Sequence, residues 1–121
     1  MRFRKFLKPY KTRGSSFREH TINARGASKI DVTVKGADSR YASDSYLPSE
    51  SRVSFALQAD NSSDSFRAGV EDYSGKKTYV SSSDGWLDHT IKIEQSGTYT
   101  IFIEGTSSSS VHITGSVTIF N

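Results

Sequence analysis

The chain of 121 residues has no cysteine, only two prolines, one methionine and one tryptophan. Without cysteine there is no disulfide framework, no thiol catalysis and no cysteine-based zinc site, although the compartment stays open. No apolar run approaches the roughly 20 residues that cross a membrane as a helix. The basic start MRFRKFLKPYKTR is not followed by an apolar stretch of the kind that forms a signal-peptide core. No segment shows a convincing helical period, and apolar residues reach only 34%. Aromatics nonetheless stand at 12%, too many for a disordered chain and suited to a thin two-layer β structure with a polar exterior.

Acidic residues are missing altogether from residues 1–18, which carry Arg2, Arg4, Lys5, Lys8, Lys11, Arg13 and Arg18. The net charge of +3 therefore divides into +7 over residues 1–18 and −4 over residues 19–121, where 9 basic residues face 13 acidic ones. The basic character belongs to the arm and not to the fold. Phe3, Phe6, Leu7, Tyr10 and Phe17 are interleaved with these cations, while Pro9 and Gly14 rule against one continuous amphipathic helix. An extended leader is the expected form. An arm that packs its aromatics on the domain, or one that meets anionic lipid or a polyanion, is the alternative.

What is abundant is alternation with a period of two. Ile30, Val32 and Val34 alternate with Asp31, Thr33 and Lys35; Val53, Phe55 and Leu57 repeat the pattern over residues 52–59, and Phe66, Ala68 and Val70 over residues 66–73. Residues 20–24 are expected to form a first strand and residues 77–80 another. The last third supplies the strongest signal: Ile91 and Ile93, then Tyr99, Ile101 and Ile103, then Val111 and Ile113, then Val117 and Ile119. Gly97, the run Gly105 to Ser110, and Gly115-Ser116 are read as the turns between them. Residues 36–50 look like one long loop rich in Ser and Asp.

About eight short strands and no helix predict an all-β, two-sheet antiparallel sandwich. A jelly roll is preferred to an immunoglobulin-like key because paired cysteines around a core tryptophan are absent and the strands number eight rather than seven. One domain, residues 19–121, follows a basic aromatic arm, residues 1–18.

Catalytic signals are sparse. No serine lies in a Gly-x-Ser-x-Gly turn, and His20, His89 and His112 have no characteristic spacing, so each is expected at the surface. Asp72, Asp84 and Asp88 are the carboxylates from which a glycoside-hydrolysing pair could be drawn. Asp60, Asn61 and Asp64 put oxygen ligands in one turn, an arrangement that forms turns ordinarily and would also suit calcium, the only cofactor expected. The best binding signal is aromatic: Trp86 beside a Ser-rich loop, and Tyr41, Tyr46, Tyr73 and Tyr79 in or next to loops. Such rings stack on sugar faces and anchor protein interfaces.

The segment SGTYTIFIEGTSSSSVHITGSVTIF, residues 96–120, with Gly97-Thr98-Tyr99 opening a strand, resembles the ends of small secreted bacterial β-sandwich modules of the pre-peptidase C-terminal domain kind. Residues 22–34 have a similar opening rhythm. The resemblance implies a non-catalytic module, exported with or beside an enzyme, that binds carbohydrate, matrix protein or cell wall, sometimes with calcium. The acidic cluster that such modules carry near the first strand is absent here, so no calcium ligand is carried over.

The expected function is a non-enzymatic, secreted or cell-surface binding module that contacts carbohydrate, cell wall or a protein partner through Trp86, Tyr73, Tyr79, Tyr41 and Tyr46. Two alternatives use the cationic arm, Arg2, Arg4, Lys5, Lys8, Lys11 and Arg13. One is a membrane-active or antimicrobial sandwich protein; the other is a small structural or assembly subunit whose arm contacts nucleic acid.

Overall fold

The structure, a computed structural model, describes residues 26–36, 38–42 and 44–120. The basic arm and the expected strand over residues 20–24 lie outside the described residues. Nine strands follow: β1 Gly26–Gly36, β2 Ser39–Tyr41, β3 Ser45–Leu47, β4 Arg52–Ala59, β5 Phe66–Asp72, β6 Lys77–Ser82, β7 Trp86–Lys92, β8 Gly97–Gly105 and β9 Ser107–Phe120. They pair antiparallel into two sheets, one ordered β1-β9-β4-β7 and the other β2-β8-β5-β6, with β3 following β2 along the same edge of β8. Apart from β2 to β3 and the β5–β6 hairpin, each connection passes from one sheet to the other. That winding is the jelly roll.

The core lies where the two sets of inward side chains meet. In β4, Val53, Phe55, Leu57 and Ala59 are buried, while Arg52, Ala56 and Gln58 between them are exposed. Ile30, Val32 and Val34 of β1 and Val111, Ile113, Val117 and Ile119 of β9 join them from the same sheet, and Phe66, Ala68, Val70, Ile101 and Ile103 face them from the other. Burying each side chain of this size stabilises the fold by about 1.5–3 kcal/mol relative to leaving it in water, which is what holds the sheets together.

Three features depart from the sequence expectation. The expected loop over residues 36–50 contains β2 and β3, each three residues long, which pair with Glu104–Phe102 and Tyr99–Gly97. Segments so short cannot display a period. The four serines 107–110 are not a loop but the start of β9, paired with the end of β1 across a bulge between Lys35 and Gly36. Ladder hydrogen bonds need only backbone groups, so serine suffices there.

The third departure is Gly115-Ser116, which reverses nothing. β9 runs through it as one strand of 14 residues. Gly115 sits between Ile30 on one side and Leu57 on the other. Its φ is +141°, and a Cβ there would overlap the carbonyl oxygen of Ala56 and lie 2.9 Å from the Leu57 Cα. Glycine marks a close approach of backbones, not a turn.

Gly115→Ala is therefore expected to lose on the order of 2–4 kcal/mol of unfolding free energy, from backbone strain and overpacking together. Gly97→Ala, where the added methyl meets only an ordinary contact with Tyr99, should change stability by less than about 1 kcal/mol. Urea midpoints of the two variants distinguish the readings; equal losses would remove the close-approach account.

Candidate binding cleft

The sandwich is open along one long side, where β6 and β7 are the free edges of the two sheets. Residues paired directly across an antiparallel ladder share a face. His89 pairs with the core residue Phe55, and Thr78 with Val70, so polar side chains occupy inward positions on both edges. An aliphatic pair would close the gap; His89, which remains exposed, and Thr78 leave it wet. The result is a cleft of about 580 Å³ with Val70, Ile91 and Ile93 among its lining. That volume lies within the range of small-molecule sites.

Polar and aromatic groups surround these aliphatic side chains. Tyr99 reaches the cleft from β8, and Tyr79 of β6 borders it at the rim, sharing the outer face with its partner Gly69; Asp72 and Lys76 belong to the β5–β6 hairpin, and Glu94 and Gln95 to the β7–β8 turn. The hairpin is fixed by Asp72, whose Oδ1 accepts from the Ser74 amide at 2.9 Å, the Ser74 hydroxyl at 2.7 Å and the Lys76 amide at 2.9 Å. The Tyr99 hydroxyl donates to the Gln95 carbonyl at 2.6 Å and ties the opposite turn to the cleft. Burial, and then the charge of Asp72, push the Tyr99 phenol above its ordinary pKa, so it stays a neutral donor. Both turns are thus held rigidly around a site that offers rings, carboxylates, an ammonium and an amide.

The five aromatic residues singled out in the sequence do not form one surface. Tyr79, 47% exposed, lines the cleft, and Tyr73, 77% exposed, stands on the hairpin at the same end of the sandwich. Tyr46, 62% exposed, lies on β3 at the opposite edge of that sheet. Tyr41 is buried against Phe102, with ring centroids 6.0 Å apart. Trp86, 63% exposed, begins β7 beside Gln58 at the other end of the molecule. Tyr99 and His89 were missed as site residues. The signal for His89 was present, since it is in phase with Leu87 and Ile91.

The acidic candidates have structural work. Asp72 and Asp84 flank β6, whose six residues at about 3.3 Å each hold them roughly 20 Å apart. Glycoside hydrolysis needs carboxyl groups within about 5–10 Å of each other. Asp84 Oδ1 accepts from the Trp86 amide at 3.1 Å and the Ser82 hydroxyl at 3.0 Å, which hold its pKa below the ordinary carboxylate range. Asp88 pairs with the exposed Ala56 on the outer face of the other sheet. In the expected calcium turn, the Asp60 carboxylate meets His112 Nδ1 at 3.1 Å, and the Asn61 carbonyl accepts from the Asp64 amide at 3.1 Å. Among the described residues, no group of three or more His, Asp or Glu side chains is arranged to hold a metal ion.

Two polar clusters on the outer faces titrate in opposite senses. His112 donates through Nε2 to Asp31 at 2.7 Å as well as facing Asp60, and these two hydrogen bonds raise its pKa. Its contribution to stability is complete below the unfolded value of about 6.5 and is lost as pH rises through the raised folded value. On the other sheet, burial works to raise the pKa of Glu104, but the Arg67 Nε at 2.6 Å, the Lys77 Nζ at 3.5 Å and the Ser39 hydroxyl at 3.0 Å outweigh it, and the net shift is downward. That contribution is present above the ordinary carboxylate range and is lost as pH falls through the lowered folded value. His112→Gln is expected to lower the urea midpoint at pH 5 and to have little effect at pH 9. Glu104→Gln should be most destabilising near neutrality, by about 2 kcal/mol, with the difference shrinking toward pH 3. Parallel pH profiles for the two variants would contradict both assignments.

No protein-family model matches the chain, and no curated protein matches it in sequence. The likeness to pre-peptidase C-terminal domains therefore stays at the level of the β-sandwich. Solved structures do resemble it. The crystal structure of PliG from Aeromonas hydrophila, a periplasmic lysozyme inhibitor of g-type lysozyme, is similar with a TM-score of 0.53 and 14% identity, over 78% of this chain and 87% of that one. A de novo designed double-stranded β-helix has a TM-score of 0.42 at 13% identity, over 75% of this chain and 96% of the design. The apo structure of BiXyn10A CBM1 has a TM-score of 0.39 at 12% identity, over 78% of this chain and 62% of that one. At these identities the likeness to PliG is one of fold, and it agrees with an all-β sandwich of two antiparallel sheets.

Proposed function

We propose that this protein is a non-catalytic binding module that works outside the cytoplasm and holds a short stretch of carbohydrate in the β6–β7 cleft. The observation that carries the reading is the composition of that cleft: Tyr79 and Tyr99 beside aliphatic Ile91 and Ile93, with Asp72, Glu94 and Gln95 grouped around them. A sugar ring presents apolar C–H faces and an equatorial belt of hydroxyls. Aromatic rings take the faces, and carboxylates and amides take the hydroxyls as acceptors and donors. The separation of Asp72 from Asp84 and the engagement of both in turns support binding without hydrolysis. The periplasmic address of PliG supports an extracytoplasmic location, and its lysozyme target makes a protein the competing occupant.

The test is titration of the purified chain with soluble β-glucan, chitin and peptidoglycan oligosaccharides, read by thermal unfolding and calorimetry. A ligand at about a hundred times its dissociation constant should stabilise by roughly 2.7 kcal/mol. Tyr79→Ala and His89→Ala are expected to weaken such binding at least about tenfold with little change in the unliganded melting temperature, while Trp86→Ala leaves it intact. Loss in Trp86→Ala alone would move the site to the other end of the sandwich. Binding of a g-type lysozyme with no response to any sugar would replace carbohydrate by a protein partner.

A further inference from the structure

The outer face of the β2-β8-β5-β6 sheet is not built as a solvent face. Its outward positions on β5 and β8 are Arg67, Gly69 and Glu71, and Thr100, Phe102 and Glu104. Phe102 is fully buried there, apart from the main core, and Tyr41 stacks on it at an interplanar angle of 24°. Tyr79 flanks Gly69 so closely that a Cβ on that glycine would overlap the Thr78 carbonyl and come within 2.6 Å of the Tyr79 Cα. Rings on β2, β8 and β6 therefore line up across the four strands, with Gly69 of β5 between Phe102 and Tyr79.

The cations of this face are already committed. Arg67 lies 4.5 Å from the Tyr79 ring centroid and bonds Glu104; Lys77 lies 4.9 Å from the Phe102 centroid and pairs with the same carboxylate. Glu71, directly opposite Lys77 in the β5–β6 register, receives neither. It is only 5% exposed, and its Oε1 has no hydrogen-bond partner among the described residues. An unmet buried acceptor costs about 1–3 kcal/mol, and more when charged. A carboxylate beside electron-rich ring faces is the chemistry that recognises an ammonium or guanidinium.

We propose that this face is the docking site of the chain's own basic segment, residues 1–18, with Glu71 accepting an ammonium or guanidinium from it and the segment's aromatics lying against Tyr79, the exposed ring of the row. The charges are complementary: residues 1–25 hold 8 Lys and Arg against one acid, a net of +7, leaving 8 basic and 12 acidic residues, a net of −4, for the rest of the chain. Phe3, Phe6, Tyr10 and Phe17 are spaced among the cations. Reach is no obstacle. Twenty-five residues leading to Gly26 extend up to about 80 Å, whereas a sheet four strands wide at about 4.8 Å spacing measures less than 20 Å across. Tethering keeps the segment at a millimolar effective concentration, so each single contact can be weak. The carbohydrate reading shares Tyr79 with this face, but Glu71 is not in the cleft, so Glu71→Gln tests the docking without altering the cleft lining.

Limited chymotrypsin digestion of the full chain, followed by mass spectrometry, tests it, because cleavage after Phe3, Phe6, Tyr10 and Phe17 does not depend on the basic residues. Cleavage at these four positions is expected to be about tenfold slower in the wild type than in Glu71→Gln, a factor equivalent to about 1.4 kcal/mol. A variant with Arg2, Arg4, Lys5, Lys8, Lys11 and Arg13 all changed to Gln should be cut as fast as Glu71→Gln while keeping the wild-type circular dichroism spectrum; it carries the test alone if Glu71→Gln fails to fold. Equal cleavage in all three proteins would overturn the proposal. So would protection that grows with protein concentration, which assigns the face to a second copy's segment. Protection that appears only on adding phosphatidylglycerol vesicles would overturn it too, in favour of a membrane surface.

Discussion

The structure depends on β9 lying between β1 and β4. This one strand is paired on both sides over residues 113–119 and delivers Val111, Ile113, Val117 and Ile119 to the core. It can do so only because Gly115 lets the backbone of β4 come close enough to pair without interruption. A side chain there would push β4 outward and carry β7, which pairs with β4 on its other side, away with it. The position of the cleft wall, β7, is thus set two strands away, on β9.

The two long sides of the sandwich are closed differently. On one, β1 faces β2 and β3, and the core there is capped by Leu47 and Ala42. On the other, β6 and β7 bring Thr78 and His89 to positions where a closed sandwich would place aliphatic residues. Such substitutions weaken packing locally, since polar side chains at an edge keep their water. The same weakness produces a concave site with rigid turns at its rim, where Asp72 and Tyr99 use hydrogen bonds to secure the hairpin and the β7–β8 turn. Binding sites commonly arise at such departures from ideal packing, because a perfectly filled core leaves nothing to bind.

Charge is partitioned as sharply as shape. The acidic sandwich and the basic N-terminal segment sit in one chain, and the outer sheet face concentrates the consequences. Glu104 draws Arg67 and Lys77 to itself, so among the described residues its neighbour Glu71 is left with an unfilled oxygen. In a low-dielectric setting such a group favours any donor that reaches it.

Alternation in the sequence was enough to determine the class of fold, and the long strands carried it. β1, β4, β5 and β8 present aliphatic or aromatic residues at every second position, and that period has one structural meaning. It also placed Ile101 and Ile103 inside and His112 outside. Beyond that, tertiary structure decided. β2 and β3 are too short to show a period and exist because β8 offers them an edge. Gly115 reads locally as a turn, and only the approach of Ala56 from a strand nearly 60 residues away reveals it as a contact. Tyr41, Tyr46, Tyr73, Tyr79 and Trp86 are alike in sequence, yet pairing register sends them to different faces and ends. The cleft itself needs β6 and β7 to become edges of different sheets, a property of strand order that no local pattern encodes, because order is settled by which hydrophobic faces find each other across the whole chain.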